Sequence, residues 1–281
     1  MAIIPQKSLP YSPLRYPGGK ASLAGYLDSI FQANNFHGGI YIEPFAGGAG
    51  AAMALLILEK VDQIVINDLD RTIYAFWNAI VKHPEEFVER IHKIRITLNE
   101  WRRQKTIYTN NSSSIFELGF ATFFLNRTNR SGIIEGGPIG GMEQKGEWLL
   151  DARFNKDNLI QRIEKIALYK KRIVVKNMDG LGLVRQYRKK NNVFFYLDPP
   201  YCVKGNCLYL NHYINKDHFA LAAFLNQNNK LNWVLTYDDV PLIKQLYSKR
   251  RQESFILNYS AYLPSKGKER MIFSDSLVLP S

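Results

Sequence analysis

The stretch Ile40-Tyr41-Ile42-Glu43-Pro44-Phe45-Ala46-Gly47-Gly48-Ala49-Gly50 decides how this chain is read. A short apolar run leads into a turn of small residues, and the turn opens into the helix-forming run Ala51 to Lys60. The order is strand, glycine turn, helix. A second apolar run, Ile64-Val65-Ile66, ends in Asn67-Asp68 and precedes an amphipathic segment through Ile73, Phe76, Trp77 and Ile80. The resulting β-α-β-α pattern predicts an α/β fold with a doubly wound, parallel sheet. Ile173 to Val175, Val193 to Leu197 and Trp233 to Thr236 have the branched and aromatic character of buried strands and extend that sheet. Ser254 to Tyr259 and Arg270 to Phe273, with Pro264-Ser265-Lys266-Gly267-Lys268 between them as a basic connection, predict an antiparallel hairpin at the sheet edge.

The chain has 281 residues, 46% hydrophobic and 22% charged, the balance of a folded globular protein. Its net charge of +12 favours a polyanionic partner, with nucleic acid the first suspect. Two cysteines, Cys202 and Cys207, are too few for a disulfide framework, which points to a reduced, cytoplasmic setting. Met1 to Pro13 carries no apolar signal region, and the longest apolar helix candidate, Ala49 to Leu58, is too short to span a bilayer, so no membrane role is expected. Between Pro84 and Tyr169 the texture changes to basic helices, a Ser-rich break at Asn110 to Ser114 and a glycine-rich tract at Gly132 to Gly146. We read residues 85–169 as an insertion in an α/β domain made of residues 1–84 and 170–281.

Two constellations carry chemistry. In the first, the glycines of the turn let a ligand approach the backbone, and Asp68, ending the next strand, can accept hydrogen bonds from ribose hydroxyls. This implies a nucleoside-containing cofactor. The spacing departs from G-x-G-x-x-G, and a tight structural turn competes with that reading. The second is Asp198-Pro199-Pro200-Tyr201, placed directly after the most apolar strand. The prolines hold a rigid backbone with exposed carbonyls, Asp198 adds an acceptor, and Tyr201 offers a flat face for stacking a base. That set suits the exocyclic amine of adenine, whose lone pair is delocalised into the ring. If Asp198 and the Pro199 carbonyl accept its protons, the nitrogen becomes more tetrahedral and its lone pair is aimed at an incoming methyl group.

Arg15-Tyr16-Pro17-Gly18-Gly19-Lys20, the turn from Glu43 to Gly50, Asp68 and Asp198-Pro199-Pro200-Tyr201 stand in the order of the motifs of Dam-type, alpha-group DNA adenine methyltransferases, which the chain resembles over most of its length. The resemblance implies the Rossmann-like fold of S-adenosylmethionine-dependent methyltransferases, with an inserted, mostly helical target-recognition domain at residues 85–169. It also implies methyl transfer to the N6 amine of an adenine flipped out of double-stranded DNA, with S-adenosylmethionine as donor and no metal. Carried over residue by residue, Tyr16, Lys20, Glu43, Phe45 and Gly47 contact the donor, Asp68 takes its ribose and Asp179 its adenine. Asp198, Pro199 and Tyr201 hold the target base. Phe124-Leu125-Asn126-Arg127 with Ser131-Gly132 resembles the start of the family's recognition segment, so Arg127, Arg130 and Lys145 become DNA-contact candidates. The tract from Gly136 to Gly146 differs from that of GATC-specific members, which leaves the recognised sequence open. Because some members work beside a restriction endonuclease, a cognate endonuclease is a candidate partner.

Further basic clusters at Arg90 to Lys105, Arg185 to Lys190 and Lys244 to Arg251 serve either as phosphate contacts or as solvated helix faces. His37, His92, His212 and His218 show no ligand spacing, which assigns them surface or supporting roles, and Cys202 reads as pocket lining. The same acceptor geometry suits cytosine N4 or an RNA base, and a silent DNA-binding homologue would keep the fold without the chemistry. The intact motifs favour the active adenine enzyme.

Overall fold

Seven strands form where short branched and aromatic runs occur: β1 (Ile40–Glu43), β2 (Gln63–Asn67), β3 (Ile173–Lys176), β4 (Val193–Leu197), β5 (Asn232–Asp238), β6 (Arg251–Tyr259) and β7 (Ser265–Phe273). They are seen in a computed structural model that describes residues 11–16, 19–201, 215–259 and 265–280. The sheet order is β3-β2-β1-β4-β5-β7-β6. The first five strands are parallel, and β7 runs antiparallel to both β5 and β6. The predicted hairpin therefore does more than cap the edge, because its second strand lies inside the sheet. Its boundary also moves: Ser265 to Lys268, read as connection, belong to β7, with Gly267 opposite Leu257. Ladder pairing with β6 outweighs the turn preference of those residues. Cys202, Cys207 and His212 lie outside the described residues.

Alternation sends each strand's side chains to two apolar layers. Tyr41, Ile64, Ile66, Phe194, Tyr196, Val234, Met271 and Phe273 face one layer, which is built from α1 (Ala24–Ala33), α2 (Gly50–Ile57), α3 (Arg71–Lys82), α4 (Pro84–Lys93), α6 (Ile115–Thr128) and α7 (Lys156–Ala167). Ile42, Val65, Phe195, Leu197, Trp233, Leu235 and Ile272 face the other, built from α8 (Gly180–Tyr187), α9 (Asn215–Gln227) and α10 (Pro241–Leu246). Helices on both faces of a mostly parallel sheet make this the doubly wound α/β architecture.

Local chemistry sets the helix starts. The Asp70 side chain accepts from the Thr72 amide to cap α3, and Ser114, at the end of the Ser-rich break, accepts from Glu117 to cap α6. Thr97 caps α5 (Leu98–Thr109) through Glu100. Pro84 opens α4 with Glu85 and Glu86 in its first turn, where acidic groups oppose the helix dipole. The segment 85–169 shares its core with the sheet layer. Phe123 stacks on Phe76 of α3 at 6.0 Å and meets Phe154 edge-on at 5.4 Å, and Phe87 packs on both Phe76 and Phe123. Each such fully buried ring stabilises the fold by about 1.5–3 kcal/mol.

Candidate active site

The strand order reverses between β1 and β4, and at that switch point the carboxyl ends of an open α/β sheet form a crevice. Glu43 ends β1 and Asp198 follows β4. On the same face, Thr236 of β5 and Glu269 of β7 continue a polar row across four adjacent strands. Lys20 spans the row. Its Nζ lies 2.8 Å from Asp198 Oδ2, 3.6 Å from Glu269 Oε2 and 5.2 Å from the centre of the Tyr201 ring. Asp198 Oδ1 accepts from the Thr236 hydroxyl at 2.6 Å and from the Tyr201 hydroxyl at 3.1 Å. Thr236 has one proton, which it gives to the carboxylate, so the Tyr196 hydroxyl at 2.9 Å donates to Thr236. Burial pulls the Lys20 ammonium down, but Asp198 and Glu269 more than offset it and hold its pKa above the ordinary lysine value. Glu43 Oε1 accepts from the Tyr41 hydroxyl and the Ala52 amide, both at 2.9 Å. Burial pushes the Glu43 carboxyl up to about 8 in spite of those bonds.

A second group surrounds the glycine turn. Gly47 has φ +46°, and a Cβ there would stand 2.5 Å from the Tyr16 ring, so both the turn and the ring packed on it require glycine. The Gly47 amide donates to Asp68 Oδ2 at 2.9 Å, and the Asp70 amide donates to the other oxygen. Burial pushes Asp68 up to about 7 against these bonds. Phe45 lies over Gly180, where a Cβ would meet its ring at 2.5 Å. The neighbouring Asp179 caps α8 by accepting from Gly182 at 2.7 Å. One residue that motif reasoning missed joins these turns. Buried Asn67 donates to the carbonyls of Pro44 and Met178 at 2.8 and 2.9 Å and accepts from the Met178 amide at 3.0 Å.

The three candidates in the insertion part company. Arg127 is buried and its guanidinium donates to the Pro13 carbonyl, while Asn126 beside it clamps the Arg15 backbone at 2.7 and 2.8 Å. Arg127 is thus turned into the body, not toward a base edge, because it closes segment 13–15 onto α6. Arg130 is exposed at the start of the glycine tract, reaching the Pro138 carbonyl at 3.4 Å, and exposed Lys145 pairs with Glu143 at 2.8 Å. Of the basic clusters, Arg90 is committed to Glu117 through two bonds of 2.5 and 2.7 Å, and buried Arg250 to Asp275, Asn226 and Asn229. Arg95, Arg102, Arg103, Arg188 and Lys189 stay exposed. His218 is buried, its Nδ1 bonded to the Tyr237 hydroxyl at 2.8 Å.

A sequence model of the D12 class N6 adenine-specific DNA methyltransferases matches residues 16–261. The chain belongs to that family. No curated protein matches it by sequence. Among solved structures it is similar to a proposed RNA methyltransferase from Pyrococcus horikoshii, at 9% identity and a TM-score of 0.41, covering 93% of this chain and 85% of that one.

Methyl transfer by a D12 class enzyme implies S-adenosylmethionine as the donor. The residues of this chain suit such a molecule. In a protein of net charge +12, the carboxyl edge of the sheet gathers Glu43, Asp68, Asp179 and Asp198. An edge rich in carboxyl acceptors fits a sulfonium compound bearing an amine and ribose hydroxyls, and disfavours a polyphosphate. Thr236 and Glu269 of this D12 class chain lie outside the sequence motifs. Their only signal is a polar residue on the apolar face of each strand.

Proposed function

We propose that the protein is a Dam-type, site-specific DNA methyltransferase that methylates the N6 amine of an adenine flipped out of duplex DNA, with S-adenosylmethionine as donor. The observation that carries this reading is the anchoring of Asp198 at the switch point. An ionised carboxylate has about four acceptor positions. Thr236, Tyr201 and Lys20 occupy three, two on Oδ1 and one on Oδ2. The remaining lone pair sits on Oδ2, and with the Pro199 carbonyl it accepts the two protons of the amine. Tyr201 supplies the stacking face. Its hydroxyl bond to Asp198 ties that face to the acceptor, so base plane and amine are aligned by one contact.

On the donor side, Asp68 takes ribose hydroxyls, Phe45 and Asp179 border the adenine, and Tyr16, Gly47 and Glu43 line the approach to the methionine part. When bound, the donor supplies an electrophilic methyl group on a sulfonium. Lys20, whose ammonium lies on Asp198, stands between the two halves of the site. Segment 85–169 serves as the recognition domain. Arg130, Lys145 and the exposed α5 arginines contact DNA, and Arg127 fixes the segment that carries Tyr16. Expression in a methylation-deficient bacterium followed by single-molecule sequencing tests the whole reading. N6-methyladenine at one recurring motif is expected. Unmodified adenine in the presence of folded, donor-binding protein would overturn it, and methylated cytosine N4 or RNA would redirect it.

A further inference from the structure

Resting on that reading, we infer that Glu269 and Thr236, on β7 and β5, are positioning residues that set the orientation of the Asp198 carboxylate during methyl transfer. Neither belongs to a motif, and both come from the half of the sheet beyond the tetrad. Glu269 is 1% exposed and Lys20 6% exposed, so neither ionic group has bulk water as an alternative partner. A lysine side chain has three rotatable donors on a flexible stem, and a single carboxylate does not fix its direction. Two carboxylates from different strands constrain it further. Asp198 after β4 at 2.8 Å and Glu269 of β7 at 3.6 Å both hold the ammonium. The ammonium therefore meets Asp198 at one oxygen, and that oxygen keeps one lone pair for the substrate.

Thr236 fixes the opposite side. Its 2.6 Å bond to Oδ1 is itself aimed by the Tyr196 hydroxyl, whose own surroundings are fully buried. Rotation of the carboxylate about its last bond would break the contact with Thr236 or with Lys20, so the two together select one orientation. The strand register makes this possible. Thr236 pairs with Met271 and Asp238 with Glu269, which places Glu269 one step further along the same face than Thr236. The titratable groups around Lys20 are thus Asp198 after β4, Glu269 on β7, opposite Asp238 in the ladder, and Glu43 on β1, beside the Tyr201 ring. Asp198 and Glu269 are the ion-pair partners of the ammonium, while burial pushes the Glu43 carboxyl toward its neutral form.

The test uses the full-length protein, tritiated S-adenosylmethionine and duplex DNA from a bacterium that lacks adenine methylation. Wild type, Glu269→Gln, Thr236→Val and Thr236→Ser are compared for kcat, for KM of both substrates and for the pH dependence of kcat. Glu269→Gln and Thr236→Val should each lower kcat by roughly 10- to 100-fold, the scale of a misplaced reacting group, with KM nearly unchanged. Thr236→Ser, which keeps the hydroxyl, should restore most of the rate. Removing the Glu269 charge should also move the high-pH loss of activity to lower pH, because Lys20 loses one of the anions that hold its proton. A role in folding alone would move neither kcat at fixed KM nor that limb. Variants with wild-type kcat and an unmoved limb, or losses confined to KM, would overturn the inference. If Glu269→Gln does not fold, the Val and Ser variants of Thr236 decide by the same criteria. A wild type that methylates no DNA overturns the functional reading and this inference together, whereas an active wild type with indifferent variants overturns this inference alone.

Discussion

Asp198 is held by three contacts, and the proposed reaction leaves one of its lone pairs for the substrate amine. Replacing it with Ala should therefore remove the chemistry without removing the substrate. We expect Asp198→Ala to lower turnover by at least 10²- to 10³-fold, the cost of one charge-stabilising group, while duplex binding measured by fluorescence anisotropy stays near wild type. Glu43 makes a different claim. Its folded pKa of about 8 lies above that of an unfolded glutamate, so the folded state binds a proton that the unfolded chain has released. The stability it contributes is complete below pH 4.5 and is lost as pH rises to about 8. Glu43→Gln keeps both acceptor contacts of Oε1 and cannot ionise, so its melting temperature relative to wild type should rise steadily across that window. A constant difference would show that Glu43 does not carry this burden. Arg127 and Arg130 separate just as sharply. Arg127→Ala should lower the melting temperature and leave the salt dependence of DNA binding unchanged, whereas Arg130→Ala should do the reverse.

At the level of elements, three βα turns rather than any one strand make the proposed donor side of the site, and Asn67 is their common fastener. Its loss strands buried partners at Pro44 and Met178, each worth about 1–3 kcal/mol when left unmade. Asn67→Ala should thus destabilise the protein by about 2–4 kcal/mol in chemical denaturation and weaken donor binding in calorimetry. The strands β1, β2, β3, β4 and β5 were legible because each is a short apolar run ended by a turn or a polar residue, and period and length suffice to find such runs. The turn from Glu43 to Gly50 and the tetrad were legible because unusual residue types stand at strand ends. Asn67, Thr236 and Glu269 were not, since their meaning comes from partners far away in sequence: Asn67 meets Met178, and Glu269 meets Lys20 across the whole chain. Arg127 misled for the same reason. An arginine beside a recognition-like motif looks like a DNA contact until Pro13 arrives beside it. The start of β7 was missed because Lys266 and Gly267 favour a turn locally, and only pairing with β6 overrides that preference.

Seen whole, the molecule separates its charges. The carboxyl edge of the sheet is acidic, yet the chain carries +12 overall, so the surplus of positive charge lies elsewhere, including α5 and the tail of α8. Duplex affinity should consequently fall linearly in log–log plots against salt, with a slope near −0.9 per phosphate contacted. The joint variant Arg130→Ala with Lys145→Ala should flatten that slope by about 2, and donor affinity should barely respond to salt. A nearly salt-independent duplex affinity would contradict this division of charge. The position of β7 carries one more consequence. It follows β6 in the chain yet lies between β5 and β6, and it brings Glu269 to Lys20. The parallel strands β1, β2 and β3 pair with one another without it, whereas Lys20 lacks one of its two carboxylate partners until β7 has entered the sheet. Insertion of the hairpin and completion of the charge set around Lys20 are thus one event.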